Sequence, residues 1–149
     1  MAETTTKTHS VTVSQSDVTI SWAGVTDVGR RRETNQDAFL AEFPLFIVAD
    51  GMGGHAGGEI ASSSTVKRLE AIAAAGDVGR SSIEGALHLA VADIADHPET
   101  TDEGTGTTLT GIFLELSDGD PHWVSLNIGD SRVYLLRDDR LGQVTADHS

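Results

Sequence analysis

The stretch FIVADGMGGHAGGE (residues 46–59) places an acid, Asp50, at the end of an apolar run and follows it with glycine at 51, 53, 54, 57 and 58. The apolar residues read as a strand, and the segment after the glycines reads as a helix. A carboxylate at a strand end, beside residues without side chains, admits three readings. In the first, Gly51-Met52-Gly53-Gly54-His55-Ala56 fits the G-x-G-x-x-A fingerprint of a dinucleotide site. Asp50 would then repel the pyrophosphate, and the acid expected for the ribose, Glu70, falls inside the helix. No lysine lies in this stretch, so a P-loop is excluded. In the second reading a divalent cation neutralises Asp50, because a buried carboxylate is costly unless something positive meets it. Gly51 then lets its own carbonyl, and water, approach the ion. In the third, Asp50 merely ends a strand in a solvated turn. On these residues alone the second and third both stand.

Outward from this stretch, the order of elements points to a fold class. Residues 11–29 hold two short β-branched stretches split by the polar turn at Ser14–Asp17, and the preceding ten residues are Thr-rich and polar. PLFIVAD (44–50) is a strand. From about Gly58 to Ala75, Ile60, Val66, Leu69 and Ile72 give one apolar helix face, with Gly76 as the stop. Residues 81–96 form a second helix, with Ser81 and Glu84 at capping-box spacing and a stripe of Ile83, Leu87, Ala90, Val91 and Ile94. GTTLTGIFLEL, HWVSLNIGD and a hairpin around Asp138–Asp139 follow as antiparallel strands, with Asp118-Gly119 as a turn. Helices segregated from strands indicate an α+β fold rather than alternating βαβ.

Composition narrows the chemistry. The 149 residues carry 23 Asp and Glu against 10 Lys and Arg, a net charge of −13, which disfavours nucleic acid and anionic membranes as partners. Cysteine is absent, so any metal must be held by oxygen or imidazole. No apolar run reaches transmembrane length and no signal-peptide core is present, so the segment is expected in the cytoplasm. Two further acids share the setting of Asp50. Asp130 ends the apolar run HWVSLNIG, and Asp37 precedes AFL. Arg30, Arg31 and Arg32 form the one cationic cluster. Arginine offers a planar fork suited to phosphate oxygens, although adjacent arginines are more often a solvated charge run.

Taken in order, RRRETNQDAF, VADGMGGHAGGE, GTGTTLT and NIGDSRVYLLRDDRLGQVTADHS resemble the metal-dependent protein phosphatase family (PPM, or protein phosphatase 2C-like) in its bacterial form, over roughly residues 20–149. The resemblance implies an antiparallel β-sandwich flanked by helices (αββα). Residues 1–17 would be a flexible tail and 18–149 the N-terminal portion of the phosphatase domain. It implies a serine/threonine phosphatase in which two Mn²⁺ or Mg²⁺ ions, with a third able to bind more weakly, share a bridging hydroxide that attacks the phosphorus. By the same resemblance Asp50 bridges both metals, Gly51 offers its carbonyl, and Asp130 helps hold the third ion. Arg32 binds the substrate phosphate, and Asp37, the acid of the N-x-D motif, orients water. The implied partners are phosphorylated proteins, the substrates of serine/threonine kinases.

The chain also departs from the family pattern. Gln36 stands where many relatives have Glu; it can accept a hydrogen bond from bound water but carries no charge. Met52 stands where animal-type relatives have a proton-donating His, which leaves His55 as the candidate general acid, with an exposed helix-start histidine as the plain reading. His148 is assigned no role. The later Asp-Gly and terminal G-x-D-N motifs that supply two more metal aspartates do not follow Asp130, and the chain stops as if cut before the flap and the rest of both sheets. This weighs against activity of these 149 residues alone. The alternative is a truncated, inactive module that binds phosphoproteins or kinases.

Overall fold

Strand β4 (Leu45–Met52) alternates strictly between buried and less buried positions, and this sorts the two faces of the central sheet. Leu45, Ile47 and Ala49 point to the helical side and are almost fully buried. Phe46, Val48, Asp50 and Met52 point the other way. The computed structural model of the chain describes residues 6–13, 16–54, 56–100, 104–117 and 120–148. His55 and the Asp118-Gly119 turn lie outside these residues.

Around β4 the sheet is antiparallel throughout. Strand β3 (Asp37–Glu42) flanks it on one side, and β6 (Leu109–Ser117) followed by β7 (Asp120–Ile128) on the other, in the order β3-β4-β6-β7. A two-residue strand, β5 (Gly106–Thr107), extends the pairing to the end of β4. Two hairpins stand apart from this sheet. One pairs β1 (Thr6–Val13) with β2 (Ser16–Ala23), and the other pairs β8 (Tyr134–Arg137) with β9 (Arg140–Gln143). Asp138 and Asp139 turn the second hairpin at φ 51° and 58°, the paired left-handed geometry of a tight two-residue turn. Pairing in β1 starts at Thr6, so the hairpin reaches into the segment expected to be a tail. Stacking of His9 on Phe43 and an ion pair from Lys7 to Glu42 fasten it to the sheet.

Helices α1 (Gly57–Ala74) and α2 (Arg80–Asp96) pack together, and α1 lies on β3 and β4. Their sequence-level description needs correction. In α1 the residues buried against the sheet are Gly57, Gly58, Ala61, Ser62, Thr65 and Leu69. Val66 and Ile72 only flank the core. Small residues bring the helix backbone close to the strands, and an apolar-periodicity count overlooks them. In α2, Gly79 rather than Ser81 occupies the N-cap, and the Ser82 hydroxyl accepts the Gly79 N–H at 2.8 Å. Val91 of the predicted stripe is exposed; it lines a cavity of about 430 Å³ with Leu87, Ile94 and Ile128. The end of α1 matches expectation. Gly76 adopts φ 70°, and the bonds Gly76 N–H to Ala73 and Asp77 N–H to Ile72 close a Schellman motif. A bidentate Arg68–Asp93 pair clamps the two helices.

The face of the sheet opposite the helices carries aromatic residues. Trp22 of β2 packs edge-on against Phe46 and donates its indole N–H to the Ala41 carbonyl at 3.0 Å. Trp123 meets Phe46 from the other side. A cavity of about 570 Å³ lies between β2 and this face, lined by Phe39, Phe46, Val48 and Ile112. Among the described residues, no helix is long and apolar enough to cross a membrane.

Leu69, with 0% of its surface exposed, sits where α1 meets the sheet. Leu69→Ala is expected to cost about 2–5 kcal/mol. Leu116→Ala, at a position 73% exposed, should change stability by less than about 0.5 kcal/mol. Urea titrations of the two variants measure the contrast; equal costs would contradict this core.

Candidate metal centre

The register of β3 on β4 pairs Asp37 directly with Asp50. Residues opposite one another across an antiparallel ladder share a face, with Cβ atoms about 5 Å apart. The neighbouring pair is tied by the Gly51 N–H to the Gln36 carbonyl at 3.1 Å. Asp37 and Asp50 therefore form the next, narrow pair, in which side chains stand closest. Two carboxylates are thus brought together by strand geometry alone.

Their electrostatics follow. The Asp50 carboxyl is held above the usual carboxylate range. Partial burial contributes most, followed by the charge of Asp37 and a hydrogen bond with it; Arg32 opposes the shift, and Asp130 adds to it. Asp50 as a residue remains exposed, so the sequence expectation of a buried acid gives way to one at the mouth of a cavity. That cavity, about 220 Å³, is lined by Asp27, Arg32, Asn35, Gln36, Asp37 and Asp50, among others.

Local structure presents these groups. Asn35 accepts the Asp37 N–H through its side-chain oxygen at 3.0 Å and donates to Thr26 Oγ1 at 2.8 Å, so the turn before β3 fixes where Asp37 begins the strand. Gln36 donates its side-chain amide to the Gly53 carbonyl at 3.3 Å, bracing the glycine segment. Its backbone carbonyl accepts from both Gly51 N–H and Ser62 Oγ. The glycines have a reason that the sequence did not reveal. A Cβ on Gly51 would lie 2.0 Å from the Gly58 carbonyl oxygen and 2.6 Å from that of Gln36. Backbone meets backbone where the start of α1 abuts the end of β4, and only glycine fits.

On the other side of Asp50, Thr108 occupies the position in line with it. Thr108 N–H donates to the Asp50 carbonyl at 2.9 Å, and Asp50 N–H donates to Thr108 Oγ1 at 3.1 Å. Beyond it Gly129, at φ 101°, turns the chain into Asp130 and Ser131. The Gly129 carbonyl accepts from Asn127 Nδ2 and from the His148 N–H. Asp147 forms a multidentate pair with Arg132, which holds its carboxyl below the usual range.

Of the residues singled out from sequence, Asp37, Asp50 and Arg32 share one cavity, Gly51 adjoins it, and Asp130 lies close enough to act on Asp50 electrostatically. Arg30 and Arg31 are exposed and absent from the lining. His55 lies outside the described residues. The dinucleotide reading fails on topology. Gly51 and Met52 still belong to β4 and pair with β5, and β4 has antiparallel neighbours where a βαβ unit needs parallel ones. Sequence reasoning missed Asp27 and Thr108, and it gave Asn35 of the N-x-D motif no role of its own. Asn35, two residues before an acid that opens a strand, carried a readable turn signal.

A model of the protein phosphatase 2C family matches residues 28–149. The chain belongs to that family. Within it, the chain is 38% identical over 133 residues to the serine/threonine protein phosphatase PstP of Mycobacterium tuberculosis, covering 86% of this chain and 25% of that protein. It is 34% identical over 138 residues to the serine/threonine phosphatase stp of Listeria innocua, covering 83% of this chain and 53% of that one. Among solved structures, the PPM Ser-Thr phosphatase MsPP of Mycobacterium smegmatis, in complex with cacodylate, superposes with a TM-score of 0.67 at 34% identity, covering 97% of this chain and 53% of that chain. The catalytic domain of PstP in complex with 2 manganese ions gives 0.68 at 30% identity, covering 99% and 57%. The chain thus spans between a quarter and about half of these two curated relatives. The α+β fold with antiparallel sheets and two helices is that of the N-terminal part of a protein phosphatase 2C domain.

The raised Asp50 carboxyl makes a signed prediction. A carboxyl whose folded pKa lies above its unfolded one destabilises the folded chain increasingly as pH rises from the ordinary carboxylate range through the raised value. Asp50→Asn should therefore stabilise the cation-free protein at pH 7, modestly because the pair is solvent-screened, and much less at pH 4. Urea midpoints at the two pH values, in chelator, test this; a variant less stable than the parent at pH 7 would contradict it.

Proposed function

We propose that the protein carrying this sequence is a metal-dependent serine/threonine phosphoprotein phosphatase, acting on kinase substrates in the cytoplasm, and that these residues hold one side of its catalytic site. The observation that carries this reading is the Asp37–Asp50 cross-strand pair with Arg32 in the same cavity. Two carboxylates forced together favour a divalent cation, and their hard oxygens suit Mn²⁺ or Mg²⁺. Among the described residues no group of three or more His, Cys, Asp or Glu side chains stands together. The pair fits such an ion in kind, and the remaining positions would fall to backbone carbonyl, water and donors beyond this set. Hard cations of this class routinely keep several waters.

In this reading Asp50 and the Gly51 carbonyl would hold two ions, and Asp130 would help hold a third, weaker one. Bound ions of this kind supply a Lewis acid that lowers the pKa of water and neutralises phosphoryl oxygens. The chain's own side chains do the rest. Asp37 accepts a hydrogen bond from water through its carboxylate and so orients it. Arg32 grips the phosphate of a phosphoserine or phosphothreonine and holds it for in-line attack. Met52 is half exposed and cannot donate a proton, so His55 is assigned as the acid that protonates the leaving seryl or threonyl oxygen. Two manganese ions in the PstP catalytic domain support manganese as the first metal to try.

The test is hydrolysis of a phosphothreonine peptide by the native protein that carries this sequence, with and without Mn²⁺. Chelation should abolish turnover, and Asp50→Asn should lower kcat by at least about 100-fold. Arg32→Ala should raise KM by roughly tenfold or more, since it removes a charge-assisted phosphate contact. Turnover that survives both chelator and Asp50→Asn would end this reading. An unchanged KM would remove Arg32 from the site.

A further inference from the structure

Asp50 lies in β4 and Asp130 in the bend that follows β7, and one side chain stands between their backbones. Thr108, 4% exposed, takes both backbone groups of Asp50: its N–H donates to the Asp50 carbonyl, and its hydroxyl accepts the Asp50 N–H. The same hydroxyl lies 2.7 Å from Ser131 Oγ, the residue after Asp130. The hydrogen-bond count closes. Oγ1 spends one acceptor site on Asp50 and retains its own proton and a second lone pair for Ser131. Packing makes the contact rigid as well, since a Cβ on Gly129 would lie 2.8 Å from Thr108 Cγ2. The Gly129–Ser131 segment is thus wedged against Thr108, while Asn127 and His148 hold its outer side through the Gly129 carbonyl.

We propose that Thr108 is a positioning residue that sets the separation of the Asp50 and Asp130 carboxylates, through a hydroxyl tie running from the Asp50 N–H via Thr108 to Ser131. The inference rests on the reading of these acids as metal ligands. It differs from that reading in assigning the metal geometry to a residue that touches neither ion nor substrate. Loss of the hydroxyl strands the Asp50 N–H and releases Ser131, so both acids lose their fixed relation at once.

The test measures Mn²⁺ affinity by calorimetry, and bound Mn²⁺ by electron paramagnetic resonance, on the native protein carrying this sequence. Thr108→Val keeps the shape and removes the hydroxyl. It should weaken Mn²⁺ binding by about tenfold or more and broaden the spectrum of the ion that remains. Thr108→Ser restores the hydroxyl and should return affinity to within about threefold, although it removes a packed methyl. Ser131→Ala should weaken binding in the same direction, and combining it with Thr108→Val should add little, because both cut one tie. A purely packing role predicts the reverse order, with Thr108→Ser worse than Thr108→Val. That order, or parental affinity in both Thr108→Val and Ser131→Ala, overturns the inference while leaving the metal reading intact. If Thr108→Val does not fold, Ser131→Ala decides alone, and unchanged affinity overturns the inference. Failure of the parent protein to bind Mn²⁺ overturns the metal reading and this inference together.

Discussion

Two negative charges opposite one another on a β-ladder are unfavourable, and the rest of this structure is arranged around such a pair. Asp37 and Asp50 occupy a narrow antiparallel position. Partial burial, then their mutual repulsion, raise Asp50 above the ordinary carboxylate range, with Arg32 offsetting only part of the effect. A sheet selected for stability alone would place a β-branched or oppositely charged partner there. Keeping the acids is a local sacrifice of stability, and such sacrifices concentrate where a ligand will supply the missing charge. The face on which they sit is equally determined. Strand alternation sends Leu45, Ile47 and Ala49 to the helices and Asp50 to the opposite side.

The glycine segment after Asp50 belongs to the same constraint. Helix α1 approaches the strand end so closely that Gly51 and Gly58 touch through backbone atoms. That approach leaves the edge of the site built from main chain rather than from side chains. The Gln36 carbonyl accepts from Gly51 and Ser62 at once, locking the start of β3, the end of β4 and the first turns of α1 into one unit. The acids consequently sit beside this hydrogen-bonded junction, and the cavity next to them is shaped by residues 27–37.

Much of this was legible in the sequence, and for physical reasons. The apolar run PLFIVAD, the alternation in HWVSLNIG, the Gly76 stop and the Asp138–Asp139 turn are local signals with a local mechanism. The acids at strand ends were also visible, as was the phosphatase resemblance, because their motifs are short and ordered. Apart from Leu69, the buried stripe of α1 was hidden, because its other packing residues are Gly, Ala, Ser and Thr. The cap of α2 was offset because Ser81 and Glu84 have the right spacing while Gly79 and Ser82 have the right geometry. Thr108 could not be read at all. Its role depends on the strand register that sets it opposite Asp50, 58 positions away in sequence.

That separation has a bearing on the entropy cost of assembling the site. Asp37 and Asp50 belong to adjacent strands joined through Phe43-Pro44, so a short loop closure brings them together. Thr108 and Asp130 join only across two helices and the β4–β6 pairing, a far longer loop. Loop-closure entropy thus costs less for the pairing of the like charges than for the tie that fixes their surroundings, which spans 58 positions.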